Sequence, residues 1–291
     1  MPDFEFIEDH YNRRWSILAP RRSHRPNTEN HTAPVCPFCR GIEKKEKELF
    51  RIGGEVGDGN WEVLVVPNKF PFAPHHEVII HSQHHEDSFR SLPFEHVIKI
   101  IETYRQRYNF HFEHKHGQVY LFHNHKSEAG ESLRHPHSQL VTVPFGVRMD
   151  SPVLHVPEDV FQIDHFLLFC PQTSQWPDEV WIAPKKQGAR FGEITDEAVQ
   201  HFSAIIQRLV HIMSLRHGNN FPYNFYIYPG TDWYLRLIPR VKILGGFELG
   251  TNIYVNTQDP KETLDFIREH FYVPNEEKIK TVHKAVYKEK V

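Results

Sequence analysis

Trp61-Glu62-Val63-Leu64-Val65-Val66-Pro67-Asn68-Lys69 and Glu179-Val180-Trp181-Ile182-Ala183-Pro184-Lys185-Lys186 read as one device used twice: a short apolar run stopped by a proline, with lysine just beyond. Runs of this length, rich in Val, Ile and Trp and ended by proline, fit buried strands. Working outward from the first, a second strand is expected over 77–81. A helix follows, with Phe94, Val97, Ile98, Ile101 and Tyr104 on one face and Pro93 in its first turn, and then strands at 118–123 and 135–143. After the second copy comes a helix with Val199, Phe202, Ile205, Ile206, Leu209 and Ile212 on one face. Thr195 is its expected N-cap, Ile194 and Val199 are placed for a hydrophobic staple, and strands at 223–228 and 233–241 close the unit. The separation of Pro67 from Pro184 is domain-sized, not a solenoid period. The expected fold is therefore α+β: two related units, residues 1–150 and 151–291, with antiparallel sheets and packed helices fused into one core. A chance likeness between two α+β segments is the competing reading. The tail adds one amphipathic helix over 261–270 and a Lys-rich end.

The composition narrows the function classes. The chain has 291 residues, 24% of them charged, and a formal net charge of −3. A general nucleic-acid binder would carry a basic excess. No apolar run reaches membrane-spanning length, and the first fifteen residues lack the apolar stretch of a secretory signal. A cytoplasmic protein is expected. Three cysteines are too few for a disulfide framework, and two of them, Cys36 and Cys39, form a Cys-Pro-Phe-Cys knuckle that fits two soft ligands of a tetrahedral metal. Partner ligands are sought among His81, His84, His85 and His135; a pair of free thiols in a turn is the alternative.

The densest chemistry lies in His135-Pro136-His137-Ser138-Gln139. On a strand His135, His137 and Gln139 share one face, followed on that face by Val141 and Val143. Two imidazoles and an amide leading into apolar positions read as the wall of a site, against the alternative of a solvated strand. The loop 124–132, with Asn124, Gly130 and Ser132, could hold a phosphate on backbone N–H groups and hydroxyls. Arg21, Arg22 and Arg25 crowd a short stretch before Pro26, and guanidinium forks match phosphate oxygens.

Taken in order, residues 20–26, the Cys-Pro-Phe-Cys knuckle, Pro67-Asn68-Lys69-Phe70, residues 132–139 and residues 242–248 make the chain resemble the galactose-1-phosphate uridylyltransferases of the histidine-triad superfamily. The stretch 245–251 looks closer to ADP-glucose phosphorylase, an adenylyl-transferring relative. The resemblance implies a nucleotidyltransferase working through a nucleotidyl-histidine, with His137 as nucleophile and Gln139 beside it. Its substrates would be an NDP-hexose and a hexose 1-phosphate or phosphate. Arg22, Arg25, Asn68, Asn124, Ser132, Lys242, Phe247 and Glu248 would contact them. The resemblance further implies one structural zinc on Cys36, Cys39, His85 and His135, with His84 as the alternative to His85. It also implies a homodimer with a shared site, and no nucleic-acid or membrane partner. The family's second metal site is not expected, because the strand from Trp233 lacks its histidines, so no iron is expected. Two other readings compete: a hydrolase using the same intermediate, and a zinc-stabilised nucleotide-binding protein without activity.

Overall fold

The computed structural model describes residues 3–24, 36–39, 47–57, 59–85, 87–274, 276–277 and 279. Its first two strands, β1 (Glu5–Asp9) and β2 (Arg14–Leu18), form a separate hairpin. The remaining strands are β3 (Phe50–Ile52), β4 (Val63–Pro67), β5 (Glu77–Ile80), β6 (Gln118–His125), β7 (His137–Val143), β8 (Phe161–Ile163), β9 (Phe166–Phe169), β10 (Val180–Pro184), β11 (Tyr223–Ile227) and β12 (Leu235–Pro239). They form one antiparallel sheet in the order β3-β4-β5-β7-β6-β11-β12-β10-β9-β8. That order is a palindrome about the β6–β11 seam, where Asn124 stands opposite Asn224.

Two long helices cover one face. In α1 (Phe94–Glu113) the buried residues include Val97, Ile100, Ile101, Tyr104 and Tyr108. The expected stripe is thus rotated slightly: Phe94 is exposed, Ile100 is buried, and Pro93 sits at the N-cap. In α2 (Asp196–His217) all six residues of the expected stripe are buried, and the Thr195 hydroxyl accepts from Ala198 N at 3.2 Å. Leu121 and Leu140 from the first half meet Phe202, Leu209 and Leu237 from the second in a single core. Truncating a fully buried aromatic such as Phe202 to alanine costs about 3–5 kcal/mol. After the last strand come α3 (Gly246–Thr251) and α4 (Pro260–His270), the latter capped by Asp259. No helix among the described residues is long and apolar enough to cross a membrane.

The strand expected over 135–143 begins two residues late, because His135 and Pro136 lie outside the sheet. This places a histidine just before β7 and another at its first residue, with β5 on one side and β6 on the other.

Candidate active site and metal centre

His137 is 4% exposed, at the first position of β7. Its Nδ1 lies 2.8 Å from the carbonyl oxygen of His135. An N–H must donate there, so the neutral ring carries its lone pair on Nε2, the atom suited to attack. The opposite side of the strand is also polar. Ser138 meets His81 Nε2 at 2.9 Å, His123 Nδ1 at 3.1 Å and the Tyr104 hydroxyl, and His123 Nδ1–H donates to the His137 carbonyl at 2.9 Å. Burial holds both His81 and His123 well below the usual imidazole range, so they are neutral. A residue whose ring and backbone are both tied in this way has little freedom to swing.

Gln139 is anchored from the loop between β4 and β5. His76 accepts from Phe72 N–H at Nδ1, at 3.4 Å, and its Nε2–H donates to Gln139 Oε1 at 2.9 Å. Asn68 Nδ2 converges on the same oxygen at 3.5 Å, while Asn68 Oδ1 accepts from Phe70 N–H at 2.9 Å. With its oxygen held by two donors, the Gln139 amide is oriented to present N–H. Arg22 joins this wall from the N-terminal segment: it donates to Phe70 O at 2.7 Å and lies over the Phe72 ring at 4.8 Å. Partial burial lowers its pKa from the ordinary guanidinium value. Arg25 lies outside the described residues.

Cys36, Cys39, His85 and His135 bring four ligand atoms within 4.8 Å of one another. His135 Nδ1 is 3.7 Å from both sulfurs, and His85 Nδ1 is 3.7 Å from Cys39 Sγ. Zinc bonds of about 2.3 Å to sulfur and 2.05 Å to nitrogen, at tetrahedral angles, put S and N about 3.6 Å apart. The donor set fits. His135 Nε2–H donates to Ser82 O at 2.7 Å, which directs the Nδ1 lone pair inward, as in an oriented metal ligand. Burial pushes the Cys36 thiol up to about 11 and His135 down to about 4, so without a metal both of these are neutral near pH 7. His85, not His84, is the histidine brought into the group. Phe38, between the cysteines, makes edge contacts with both His135 and His137, with ring centroids 6.0 and 5.7 Å apart.

A family model described as "Domain of unknown function (DUF4931) N-terminal domain" matches residues 20–144, the stretch that holds all of these groups. ADP-glucose phosphorylase from Arabidopsis thaliana is 26% identical over 91% of this chain and 92% of its own length. Galactose-1-phosphate uridylyltransferase from Thermotoga maritima is 22% identical over 88% of this chain and 95% of its own. The crystal structure of the Arabidopsis ADP-glucose phosphorylase with bound ADP-glucose superposes with a TM-score of 0.70 at 25% identity, covering 92% of this chain and 99% of that one. The chain is a relative of the galactose-1-phosphate uridylyltransferases. Its homologues are nucleotidyltransferase and phosphorylase enzymes of that type.

The other residues that this uridylyltransferase resemblance singled out are distributed unevenly. Asn124 on β6 accepts from Asn224 Nδ2 at 2.8 Å, and Asn224 also ties down Ala129 O at 2.7 Å. The loop that follows is a single 3-10 turn, Ser127–Ala129, closed by Gly130 at φ 83. Glu131 accepts from Lys126 N–H at 2.7 Å, and burial pushes its carboxyl up to about 7. Ser132 is half-buried on the approach to His135. Lys242 and Glu248 pair with each other at 2.7 Å, and Phe247 is 55% exposed, so within one chain that segment closes on itself. On β12, Arg236 makes a buried two-pronged pair with Glu179, at 2.8 Å to each oxygen. The sequence reading missed His76, Asn224 and the pairing of Ser138 with His81, His123 and Tyr104. His76 was within reach: Val78 stands opposite Gln139, and a period of two puts His76 on the same face.

Proposed function

We propose that this chain transfers a nucleotidyl group from an NDP-hexose to a phosphate acceptor through a covalent nucleotidyl-His137 intermediate. One observation carries the reading: His137 Nδ1–H is fixed on the His135 carbonyl, which commits Nε2 as the nucleophile. Nε2 attacks the α-phosphorus, an N–P bond forms, and the bond to the bridging oxygen breaks with its electron pair. The leaving hexose 1-phosphate is a weak base near neutral pH, so no side chain need protonate it. In the second half the acceptor's phosphate oxygen attacks the same phosphorus and the N–P bond breaks, returning neutral His137. The work left for the protein is alignment and charge neutralisation. Gln139 donates to a non-bridging oxygen, and Arg22, with Arg25 before Pro26, offsets phosphate charge. Asn68, Asn124 and Ser132 line the nucleotide. ADP-glucose with phosphate is the substrate pair proposed first, after the Arabidopsis relative; UDP-glucose with galactose 1-phosphate is the alternative.

A zinc ion on Cys36, Cys39, His85 and His135 would be structural, a closed S2N2 site that fixes the chain just ahead of β7. The working unit is proposed to be a cytoplasmic homodimer in which Lys242, Phe247 and Glu248 serve the partner's site. Support comes from the arm that carries them: Ile243, Phe247, Leu249, Ile253 and Val255 are 91, 55, 72, 60 and 50% exposed, a patch that a monomer would leave wet. The test is incubation with ADP-glucose or UDP-glucose separately, followed by intact mass and peptide mapping. A nucleoside monophosphate adduct on His137, discharged by phosphate or sugar phosphate, is the expected result. Discharge by water alone would establish the hydrolase, and no adduct with any nucleotide sugar would leave a binding protein.

A further inference from the structure

The geometry points to a second metal site, remote from the cysteine knuckle, in which His75, His111 and His116 hold a zinc-class divalent ion. The three residues come from three places. His75 lies on the loop before β5, His111 in the last turn of α1, and His116 in the turn that leads to β6. Each offers a ring nitrogen within 4.8 Å of the others. His111 Nδ1 and His116 Nδ1 already face each other at 2.8 Å, and the His75 ring stacks on His116 with centroids 3.8 Å apart. Zinc–nitrogen bonds of about 2.0–2.1 Å place tetrahedral donors about 3.4 Å apart, a distance small side-chain rotations reach from here.

The backbone is bent to make this cluster. His75 sits at φ 47, in the left-handed region that few non-glycine residues occupy, histidine being one of those that enter it more readily. After α1, Lys115 at φ 54 and Gly117 at φ 136 reverse the chain, so that His116 N–H donates to His111 O at 3.1 Å. Gly117 cannot be replaced cheaply, because a Cβ there would lie 2.6 Å from Val143 O. Behind the cluster, buried Glu77 accepts from His111 Nε2–H at 2.8 Å and is itself held by Arg107 Nε at 2.9 Å. A carboxylate on the far nitrogen is the usual support of a metal-bound imidazole: it fixes the tautomer, turns Nδ1 outward as a lone pair, and raises its basicity. Three imidazoles with no thiolate suit zinc, cobalt, nickel or copper more than magnesium or calcium. The cluster borders a cavity of about 710 Å³ that Asn68 and His76 also line. Three protein ligands facing a cavity leave a fourth position for water or a phosphate oxygen.

The test uses untagged full-length protein isolated with its knuckle metal in place. Zn²⁺ is added against a chromophoric chelator, and bound ions are counted by native mass spectrometry. Wild type is expected to take up one further ion, and His75→Ala/His116→Ala to lose it, with unchanged melting temperature before the addition. Glu77→Gln, if it folds, should weaken uptake about 10–100-fold. His114→Ala, a neighbouring histidine outside the cluster, should bind as wild type does. Co²⁺ in this site should give visible ligand-field bands without the near-ultraviolet thiolate band of the knuckle. The proposal is overturned if wild type takes up no further ion, or if the double variant still binds it. It is equally overturned if uptake is lost instead in His165→Ala/His201→Ala, the other histidine pair that with Glu197 could hold an ion.

Discussion

Replacing His76 with phenylalanine should slow nucleotidylation of His137 while leaving the fold in place. Phenylalanine keeps the ring volume and the edge contact with Phe72, whose centroid is 4.5 Å away. It removes the Nε2–H bond to Gln139 Oε1 at 2.9 Å, leaving Asn68 Nδ2 at 3.5 Å on that buried oxygen, and with it the long 3.4 Å bond that Nδ1 accepts from Phe72 N–H. A buried acceptor that loses its main donor costs about 1–3 kcal/mol. Part of that appears as a lower melting temperature. The rest appears as a Gln139 amide free to rotate, so that its N–H no longer meets the phosphoryl oxygen. Complete loss of an oxyanion-type donor is about 2.7–4 kcal/mol, so partial loss should slow the step about 10–100-fold. The assay is rapid quench with ADP-glucose or UDP-glucose and intact mass of the protein. His76→Gln, which can still donate, should recover much of the rate. If His76 acts through Gln139, His76→Phe/Gln139→Ala should be no slower than Gln139→Ala alone. Losses that multiply in the double variant, or a wild-type rate in His76→Phe, would refute the reasoning.

Four further outcomes are expected. His137→Ala should show no adduct by intact mass yet retain the wild-type circular dichroism, and His137→Gly should transfer from an imidazole-nucleotide donor that supplies the missing ring. Cys36→Ser should lose about one zinc per chain by metal analysis and melt lower, since metal binding is coupled to folding; zinc content equal to wild type would contradict the assignment. Glu131, with its folded carboxyl raised to about 7 from 4.5, contributes stability that is full below about pH 4.5 and lost as pH rises through about 7. Glu131→Gln should therefore match wild type at pH 4.5 and exceed it by about 2 kcal/mol at pH 8 in denaturant titrations, a figure reduced for partial exposure. Mixing His137→Ala with Lys242→Ala should restore about a quarter of the sites if the two chains of a dimer share them, and none if each chain builds its own; Arg22 is left intact because it stands in its own chain's wall, on Phe70 O and over Phe72.

The fold was legible where burial is one-sided or complete. The 3.6-residue period of α2 exposes its stripe in the sequence, and Thr195 marks where it begins. The apolar runs ending at Pro67 and Pro184 are strands buried on both faces. The strands that escaped notice, β1, β2, β3, β8 and β9, are short or lie near the margins of the fold, where few side chains carry a pattern. The rotation of the α1 stripe has a similar cause. Phe94 is apolar but stands exposed in the first turn, while Ile100, next to Ile101 in sequence, is buried with it and widens the stripe.

The site was legible only in part because its chemistry is assembled across strands. His137, Gln139 and the knuckle cysteines announce themselves by spacing. His76, His81 and His123 do not: in a chain with 23 histidines, nothing in the sequence says which of them are neutral, buried and aimed at β7. Their placement explains why the polar row on β7 is tolerated at all. A hydroxyl or amide inside a sheet is costly unless it is matched, and here Ser138 and Gln139 are matched on opposite faces: His76 and Asn68 hold Gln139, and His81, His123 and Tyr104 meet Ser138, although His81 Nδ1 and His123 Nε2 are themselves left without a hydrogen-bond partner. The Cys/His group proposed to hold zinc extends the same logic along the chain. Cys36 and Cys39 fix His135, and His135 offers the carbonyl that sets the tautomer of His137. Loosening the proposed metal centre would therefore act on His137, the proposed nucleophile, through the His135-Pro136 link and Phe38. In Cys36→Ser the protein that still folds should accordingly form the adduct more slowly than its melting temperature alone would imply.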